Sequence, residues 1–563
     1  MALKLHLLSG NAIEKQKKSE YQRYQLIIDK KKYELTDEQE ITCRELIKND
    51  NSFRVHLLQG TTGSGKTIVY FKAIEKILNQ RKQSLILLPE IGLTGEFEKK
   101  FIDFFGFEPA VWHSKITPKR KKVIWSGLAT GEIRVVIGAR SSLFLPFKNL
   151  GIITIDEEHD QSFKQDEGVS YNARDMAIVR ARIENIPINL VTAVPSVETY
   201  FNIKIKKYSY SRLVNRFKNA NLPKHHIIDL NQNKLAKKSF ISLKTLEKVN
   251  EHLERGDQVL FFINRRGFAP YVLCKKCLNV FSCPNCSINL VYHKYKKKLL
   301  CHYCGFSSNL ERKCSKENFC EFVFSGPGVE KIAEEVKVLF PNKKIVIFSS
   351  DTVNKASGKN ILDKIISGEI NILVGTQLIS KGFHFPNLNC IIVLDIDLTS
   401  QGHDLRSTEK NLQLYHQLSG RAGRAGKPAN VYFQTYNLNP KAIDQITNED
   451  PFKFLDHELE LRKQNSLPPY ERFISLILSA RDEKILDQEA LKLKKILSDL
   501  SNEKILGPVK APIFKIKRNF RSRLLIRAKK TSKIQKKLKK ILKDFKIPSG
   551  MKLTVDVDPI SFN

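Results

Sequence analysis

The stretch GTTGSGKT, Gly60–Thr67, lies between an apolar run, VHLLQ, and a helical pattern, KTIVYFKAIEKIL. A strand that turns through glycines directly into a helix leaves the chain few options. Glycines at 60, 63 and 65 let backbone N–H groups curl inward, and the helix N-terminus adds its positive end, so the loop suits phosphate oxygens. The candidate nucleotide contacts are Gly60, Thr61, Thr62, Gly63, Ser64, Gly65, Lys66 and Thr67. Among them Lys66 can reach the β- and γ-phosphates of ATP, and Thr67 can ligate Mg²⁺.

The surroundings fit that loop. From about residue 50 to 200 the apolar runs FRVHLL, SLILL, IRVVIG, GIITID and INLVTA alternate with helical patterns. Such alternation predicts a parallel sheet with helices on both faces. A second series, QVLFFI, KKIVIF, INILVG and NCIIVLDID (258–263, 343–348, 370–375 and 389–397), predicts a second α/β lobe. After about 437 come a helix-rich stretch, a strand-like FISLILSA and a strand-like KLTVDVDP. Ile534, Leu538, Ile541, Leu542 and Phe545 share one helical face there, opposite lysines. That face is expected to pack on a small sheet.

The 95 basic and 59 acidic side chains leave a net charge of +36, which favours a polyanionic partner such as nucleic acid. The N-terminal apolar run is too short for a signal peptide, and no window approaches the length of a membrane span. The expectation is a soluble cytoplasmic chain without a membrane partner. Thiols are reduced in that compartment, so clustered cysteines read as metal ligands before disulfides. Six of the ten cysteines form three Cys-x-x-Cys pairs, Cys274/Cys277, Cys283/Cys286 and Cys301/Cys304, inserted after the first strand of the second series. Each pair supplies two of the four tetrahedral ligands zinc needs, and with Cys314 the segment offers seven thiolates. Metal binding would supply the folding energy of a segment too small to bury much core.

Two further clusters carry chemistry. IITIDEEHD places Asp156 and Glu157 at a strand tip, where paired acids need a cation. Asp156 would hold Mg²⁺ through its water shell, and Glu157 would orient or deprotonate the attacking water. QLSGRAGR places Arg421 and Arg424 three apart, expected on one helical face, from which guanidiniums can stabilise charge on a γ-phosphate.

As a set, the phosphate loop, DEEH and QLSGRAGR resemble the engine of superfamily 2 helicases, two RecA-like parallel-sheet lobes. The resemblance makes LTDEQ the adenine-reading motif, with Gln39 as the reader. It makes LLPEIGLT and IGARSSLFLPF first-lobe strand contacts, VTAVPS the coupling motif with Val194 in place of the usual threonine, and VGTQLISKGFHFP the second-lobe grip through Thr376 and Lys381. The order of DEEHDQSFKQDEGVSYNARD, NRRGFAP, the cysteine segment, VGTQLISKGFHFP and LPPYERF narrows this. From about residue 35 onward the chain resembles the primosomal protein N′ (PriA) family of replication-restart helicases.

What that resemblance implies is an ATP-dependent DNA helicase moving 3′ to 5′, which binds stalled or recombined forks and initiates restart by primosome assembly. The implied partners are forked and single-stranded DNA, primosome proteins, the replicative helicase with its loader, and single-stranded DNA-binding protein. The implied location is the bacterial cytoplasm, associated with the nucleoid. The implied domains are an N-terminal remnant of a DNA-binding region (1–34), lobe 1 (35–225), lobe 2 (226–273 and 321–437), a zinc-binding insertion (274–320) and a small α+β C-terminal domain (438–563). Two zinc ions are implied, the inner one on Cys283, Cys286, Cys301 and Cys304. The outer one takes Cys274, Cys277 and Cys314 with either Cys320, the preferred thiolate, or Glu317, where the family spacing places the last ligand. Phe163 and Tyr171, beside the acids, are expected to stack on unpaired bases. Only about thirty-four residues precede LTDEQ, so the family's pocket for a nascent 3′ end is expected to be reduced or absent. The alternatives are a fork-binding primosome scaffold that does not unwind, and another superfamily 2 DNA translocase.

Overall fold

The computed structural model describes residues 33–48, 51–89, 94–166, 168–216, 222–263, 271–274, 280–294, 297–309, 322–349, 358–380, 385–394, 396–399, 405–423, 427–438, 450–498, 500 and 503–561. These divide into two compact units, one up to residue 219 and one from 220 onward.

The first unit is built on strands β1 (Arg54–Gly60), β2 (Gln83–Leu87), β3 (Ala110–Trp112), β4 (Val135–Gly138), β5 (Leu150–Asp156), a two-residue ribbon of β6 (Lys164–Gln165) and β7 (Tyr171–Asn172), then β8 (Pro187–Thr192) and β9 (Ser209–Leu213). All but the ribbon form one sheet, in the order β3-β4-β2-β5-β8-β1-β9, and every pairing in it is parallel. Successive side chains on a strand face opposite ways, so a sheet covered on both faces needs apolar residues at both parities. Leu57, Leu85, Ile153 and Leu190 enter one core, with Ile124, Leu128, Ala177 and Ala181 from helices Pro118–Thr130 and Ala173–Ile183. Their neighbours Leu58, Ile86, Ile152 and Val191 enter the other, against the helix Lys66–Asn79 and the phenylalanines of Thr94–Phe105. Phe71 is the hub of the second core and touches the rings of Phe97, Phe101, Phe104 and Phe105.

The second unit opens with β10 (Lys224–Asp229) and β11 (Gln258–Phe262). It continues with β12 (Tyr271–Cys274), β13 (Val291–His293), β14 (Lys298–Leu300), β15 (Ser307–Asn309) and β16 (Phe322–Ser325) of the insertion. It then returns to β17 (Ile345–Phe348), β18 (Ile372–Gly375), β19 (Leu388–Val393) and β20 (Asn430–Thr435). The order β10-β20-β19-β11-β18-β17 is again wholly parallel. The same two-parity rule holds: Leu260 and Phe262 face one core, Val259 and Phe261 the other.

Two sequence expectations are corrected here. NCIIVLDID is not strand to residue 397: β19 stops at Val393 and a helical turn, Ile396–Thr399, follows. Asp397 leaves the strand to accept hydrogen bonds from the Thr435 hydroxyl and the Tyr436 N–H. The first-lobe border also lies before 225, because β10 already pairs with β20 at Lys224↔Asn430.

The insertion hangs on the antiparallel pair β12–β16 and carries a small sheet of β13, β14 and β15. Strands β21 (Glu471–Ala480), β22 (Lys504–Ile516), β23 (Asn519–Lys529) and β24 (Lys552–Val557) follow, an antiparallel sheet in the order β22-β23-β21-β24. Helices Glu483–Leu497 and Ile534–Asp544 cover one face of it. As expected, Ile534, Leu538, Ile541, Leu542 and Phe545 pack into that core. No helix among the described residues is long and apolar enough to cross a membrane.

Candidate nucleotide and metal sites

Strand β1 delivers the phosphate loop and the helix Lys66–Asn79 carries it away. Gly63 and Gly65 have φ of +91° and +83°, a region open to glycine at little cost. A Cβ on Gly65 would also meet the Gln39 Nε2 at 2.4 Å. Gln39, fixed by a capping box with Thr36, donates that Nε2 to the Ser64 carbonyl at 3.0 Å. The expected adenine reader is therefore in contact with the phosphate loop itself. Lys66 Nζ donates to the carbonyls of Gly60 (2.7 Å) and Thr61 (3.1 Å). The hydroxyls of Thr61 and Ser64 are buried without hydrogen-bond partners among the described residues. Orphaned donors at the mouth of a glycine loop fit phosphate oxygens.

Asp156 ends β5, one strand removed from β1 across β8. Its Oδ2 accepts from the Tyr70 hydroxyl at 3.0 Å and its Oδ1 from the Glu157 N–H at 3.0 Å. Burial first, then the charge of Glu157, raise its pKa to about 6, against the pull of Lys66. Burial and the adjoining Asp156 push the Tyr70 hydroxyl well above its usual range. A buried acid held up by a second carboxylate is a fitting place for a divalent cation. Glu157 sits at φ +51°, in the left-handed region, where the strand turns away.

The third acid of DEEHD was missed by the sequence reading. Glu158 is 2% exposed and accepts from the Ser196 N–H (2.7 Å), the Ser196 and Thr199 hydroxyls (3.2 and 3.0 Å) and Arg174 (3.0 Å). His159 meets the Thr192 hydroxyl at 2.6 Å. The acidic motif is thereby joined to VTAVPS by side chains as well as by the β5–β8 ladder. Val194, in the usual threonine's place, is buried, and its N–H donates to Thr192 at 3.1 Å.

Phe163 overturns its expectation. It is 1% exposed and packs in the first-unit core, so it cannot stack on a base. Tyr171 is half-buried and lies edge-on to Phe144, which is 54% exposed. Arg421 also departs from expectation: the helix ends at Ser419, so Arg421 lies in the turn beyond it and not on a helical face. Arg424, Lys381, residues 90–93, Cys277, Cys314, Glu317 and Cys320 lie outside the described residues. Thr376 follows β18 and is buried, and Cys274 ends β12, also buried.

The inner thiols do converge. The Sγ atoms of Cys283, Cys286, Cys301 and Cys304 all lie within 4.8 Å of one another, and Cys283 and Cys304 are 3.6 Å apart. Tetrahedral Zn–S bonds of about 2.3 Å require S···S separations of about 3.8 Å, so the four fit a zinc ion. The module is also tied to the helix Val329–Leu339, where Glu330 accepts from the Lys294 N–H at 2.9 Å and lies 3.4 Å from buried His293.

Two parallel sheets, a glycine loop with acids beside it and a four-thiol cluster define a two-lobed α/β protein with a phosphate-binding loop and a metal-ribbon module. The family described as DEAD/DEAH box helicase matches residues 36–202, and the helicase conserved C-terminal domain matches 306–426. The PriA DNA helicase Cys-rich region matches 283–308, and the primosomal protein N C-terminal domain matches 463–560. The replication restart protein PriA of Rickettsia felis is 45% identical over 90% of this chain and 78% of its own length. That of Bacillus subtilis is 36% identical over 93% of this chain and 66% of its own length. The chain belongs to the PriA family of replication restart helicases.

Proposed function

We propose that this chain couples ATP hydrolysis to 3′ to 5′ movement on DNA, binds stalled or recombined forks and begins replication restart by assembling a primosome. The observation that carries the motor reading is the phosphate loop, with its orphaned hydroxyls, beside the perturbed Asp156. Lys66 would exchange its carbonyl partners for β- and γ-phosphate oxygens. Gly60, Thr61, Thr62, Gly63, Ser64 and Gly65 would wrap the phosphates, and Gln39 would read the adenine. Thr67 and Asp156 would hold Mg²⁺, which when bound neutralises phosphate charge. Glu157 would orient the attacking water, and Arg421 and Arg424 would stabilise charge on the transferred phosphoryl.

In this reading the first lobe runs from 35 to the start of β10, and the second resumes after the insertion and ends near 437. The C-terminal domain follows from 438. The insertion holds two zinc ions, the inner on Cys283, Cys286, Cys301 and Cys304. The outer is held by Cys274, Cys277 and Cys314, with Cys320 preferred to Glu317. The partners are forked and single-stranded DNA, single-stranded DNA-binding protein, primosome proteins, and the replicative helicase with its loader. The protein works in the cytoplasm, at the nucleoid.

The test is strand displacement on forks offering a 3′ or a 5′ loading strand, with ATP turnover measured on single-stranded DNA, forks and RNA. Displacement from the 3′ strand, lost in Lys66→Ala while fork binding stays nearly intact, is the expected result. Turnover stimulated by RNA alone would reject the proposal.

A further inference from the structure

The turn between β22 and β23 breaks a local rule. Ile516 pairs with Asn519, so Lys517 and Arg518 form a two-residue hairpin turn, and both are left-handed, with φ of +48° and +68°. Such turns favour Asn-Gly, because a Cβ is disfavoured there. Lys-Arg persists in that conformation only where surrounding contacts over-determine it.

Those contacts lie on the zinc knuckle Cys283–Ser287. The Lys517 N–H donates to the Cys286 Sγ at 3.4 Å, and the Arg518 N–H donates to the Asn285 carbonyl at 2.8 Å. Arg518 Nε donates to Asn285 Oδ1 at 2.9 Å. Lys515 and Ser287 exchange two bonds: the Lys515 N–H donates to the Ser287 hydroxyl, and the Ser287 N–H to the Lys515 carbonyl, each at 2.8 Å. Lys515 Nζ reaches the Pro284 carbonyl at 3.4 Å, and Ile516 packs on the module's apolar core.

The chemistry of the centre explains the choice of residues. Four thiolates on Zn²⁺ carry a net charge of −2, and N–H donors to sulfur stabilise it. Cys283 receives N–H groups from its own knuckle, at Asn285 and Cys286, and Cys304 receives one from Phe306 of its own. The donor to Cys286 comes from Lys517, 231 residues along the chain. The Lys515 ammonium and the Arg518 guanidinium stand on the same knuckle, bonded to the Pro284 carbonyl and to Asn285 Oδ1.

We propose that the Lys515–Arg518 turn completes the outer shell of the inner zinc site, so that metal loading and docking of the C-terminal sheet are one linked equilibrium. Without zinc the knuckle loses its template, so the turn loses the fixed sulfur and carbonyl acceptors at which its N–H groups are aimed. Lys517 and Arg518 are positioning residues in this proposal: they fix where the C-terminal sheet sits against the knuckle.

The experiment is hydrogen exchange on the full chain, zinc-loaded and then chelated, with bound metal quantified. Cys304→Ser, which removes an inner ligand that Lys517 does not touch, is the second arm. The expected result in both arms is exchange about tenfold faster or more at the 515–519 turn, with the centre of β21 unchanged. Zinc release to a chelator should also quicken several-fold in Lys517→Pro, which lacks the N–H and cannot adopt the turn's left-handed φ, and change least in Lys517→Asn/Arg518→Gly, which keeps both. Unchanged turn exchange after the metal is shown to be gone would overturn the proposal. A response to chelation with Cys304→Ser silent would assign the link to other thiols and overturn it equally.

Discussion

Phe163 shows how far a residue type can mislead. In the sequence it is an aromatic in a polar loop beside catalytic acids, but the structure sets it in the first-unit core. Phe163→Ala is expected to lower stability by about 3–5 kcal/mol, seen as an earlier denaturation midpoint, with no selective loss of DNA binding. Phe144→Ala should do the reverse, weakening single-strand binding in a titration while leaving the midpoint nearly unchanged, since Phe144 is largely exposed. Buried histidines set a second expectation. Burial, reinforced by Arg54, holds His56 down to about 3, and burial with the neighbouring His225 holds His416 down to about 4, against Asp450. Both are neutral when folded and take up a proton below about 6.5 once unfolded. Each therefore supports the fold above pH 6.5 and withdraws that support as the pH falls towards its folded pKa. The loss is about 2 kcal/mol per histidine between pH 6.5 and 5, read by denaturation at the two pH values. His56→Asn should flatten the first unit's share.

At the scale of elements, legibility followed burial on two faces. Runs such as FRVHLL of β1 or LGIITID of β5 are apolar at both parities and were readable; β9, SYSRL, and β10, KHHIID, are sheet-edge strands with polar residues at both parities and were not. Arg421 was misplaced because a helical pattern through QLS does not reveal that the helix stops at Ser419, with Gly420 as its cap. Among three consecutive acids the sequence could not distinguish Glu158, whose role depends on Ser196, Thr199 and Arg174 arriving from two other helices. That junction joins β5 to the segment after β8, and removing Arg174 would strand a buried carboxylate. Arg174→Ala is expected to cost about 3–5 kcal/mol and to blunt the stimulation of ATP turnover by DNA, whereas Lys at that position should recover part of the stability but not the full network. Thermal denaturation and turnover with and without single-stranded DNA check both.

For the molecule as a whole, the phosphate loop, acids and thiol pairs were legible because their chemistry demands fixed residue types at fixed spacing. The four inner thiols converge as read, while the turn that caps them, from the far end of the chain, carried no local signal. The motor reading makes its own demand on the second lobe: Arg421→Ala should reduce ATP turnover on the order of a hundredfold or more and leave nucleotide affinity within a few-fold, by steady-state kinetics and equilibrium titration. The paired strands β12 and β16 have one more consequence. Their register, Tyr271 opposite Ser325 and Cys274 opposite Phe322, brings the insertion's entry and exit side by side. An ordinary hairpin turn could bridge that gap, so the length of chain between β12 and β16 can change without altering the register of the second lobe's parallel sheet.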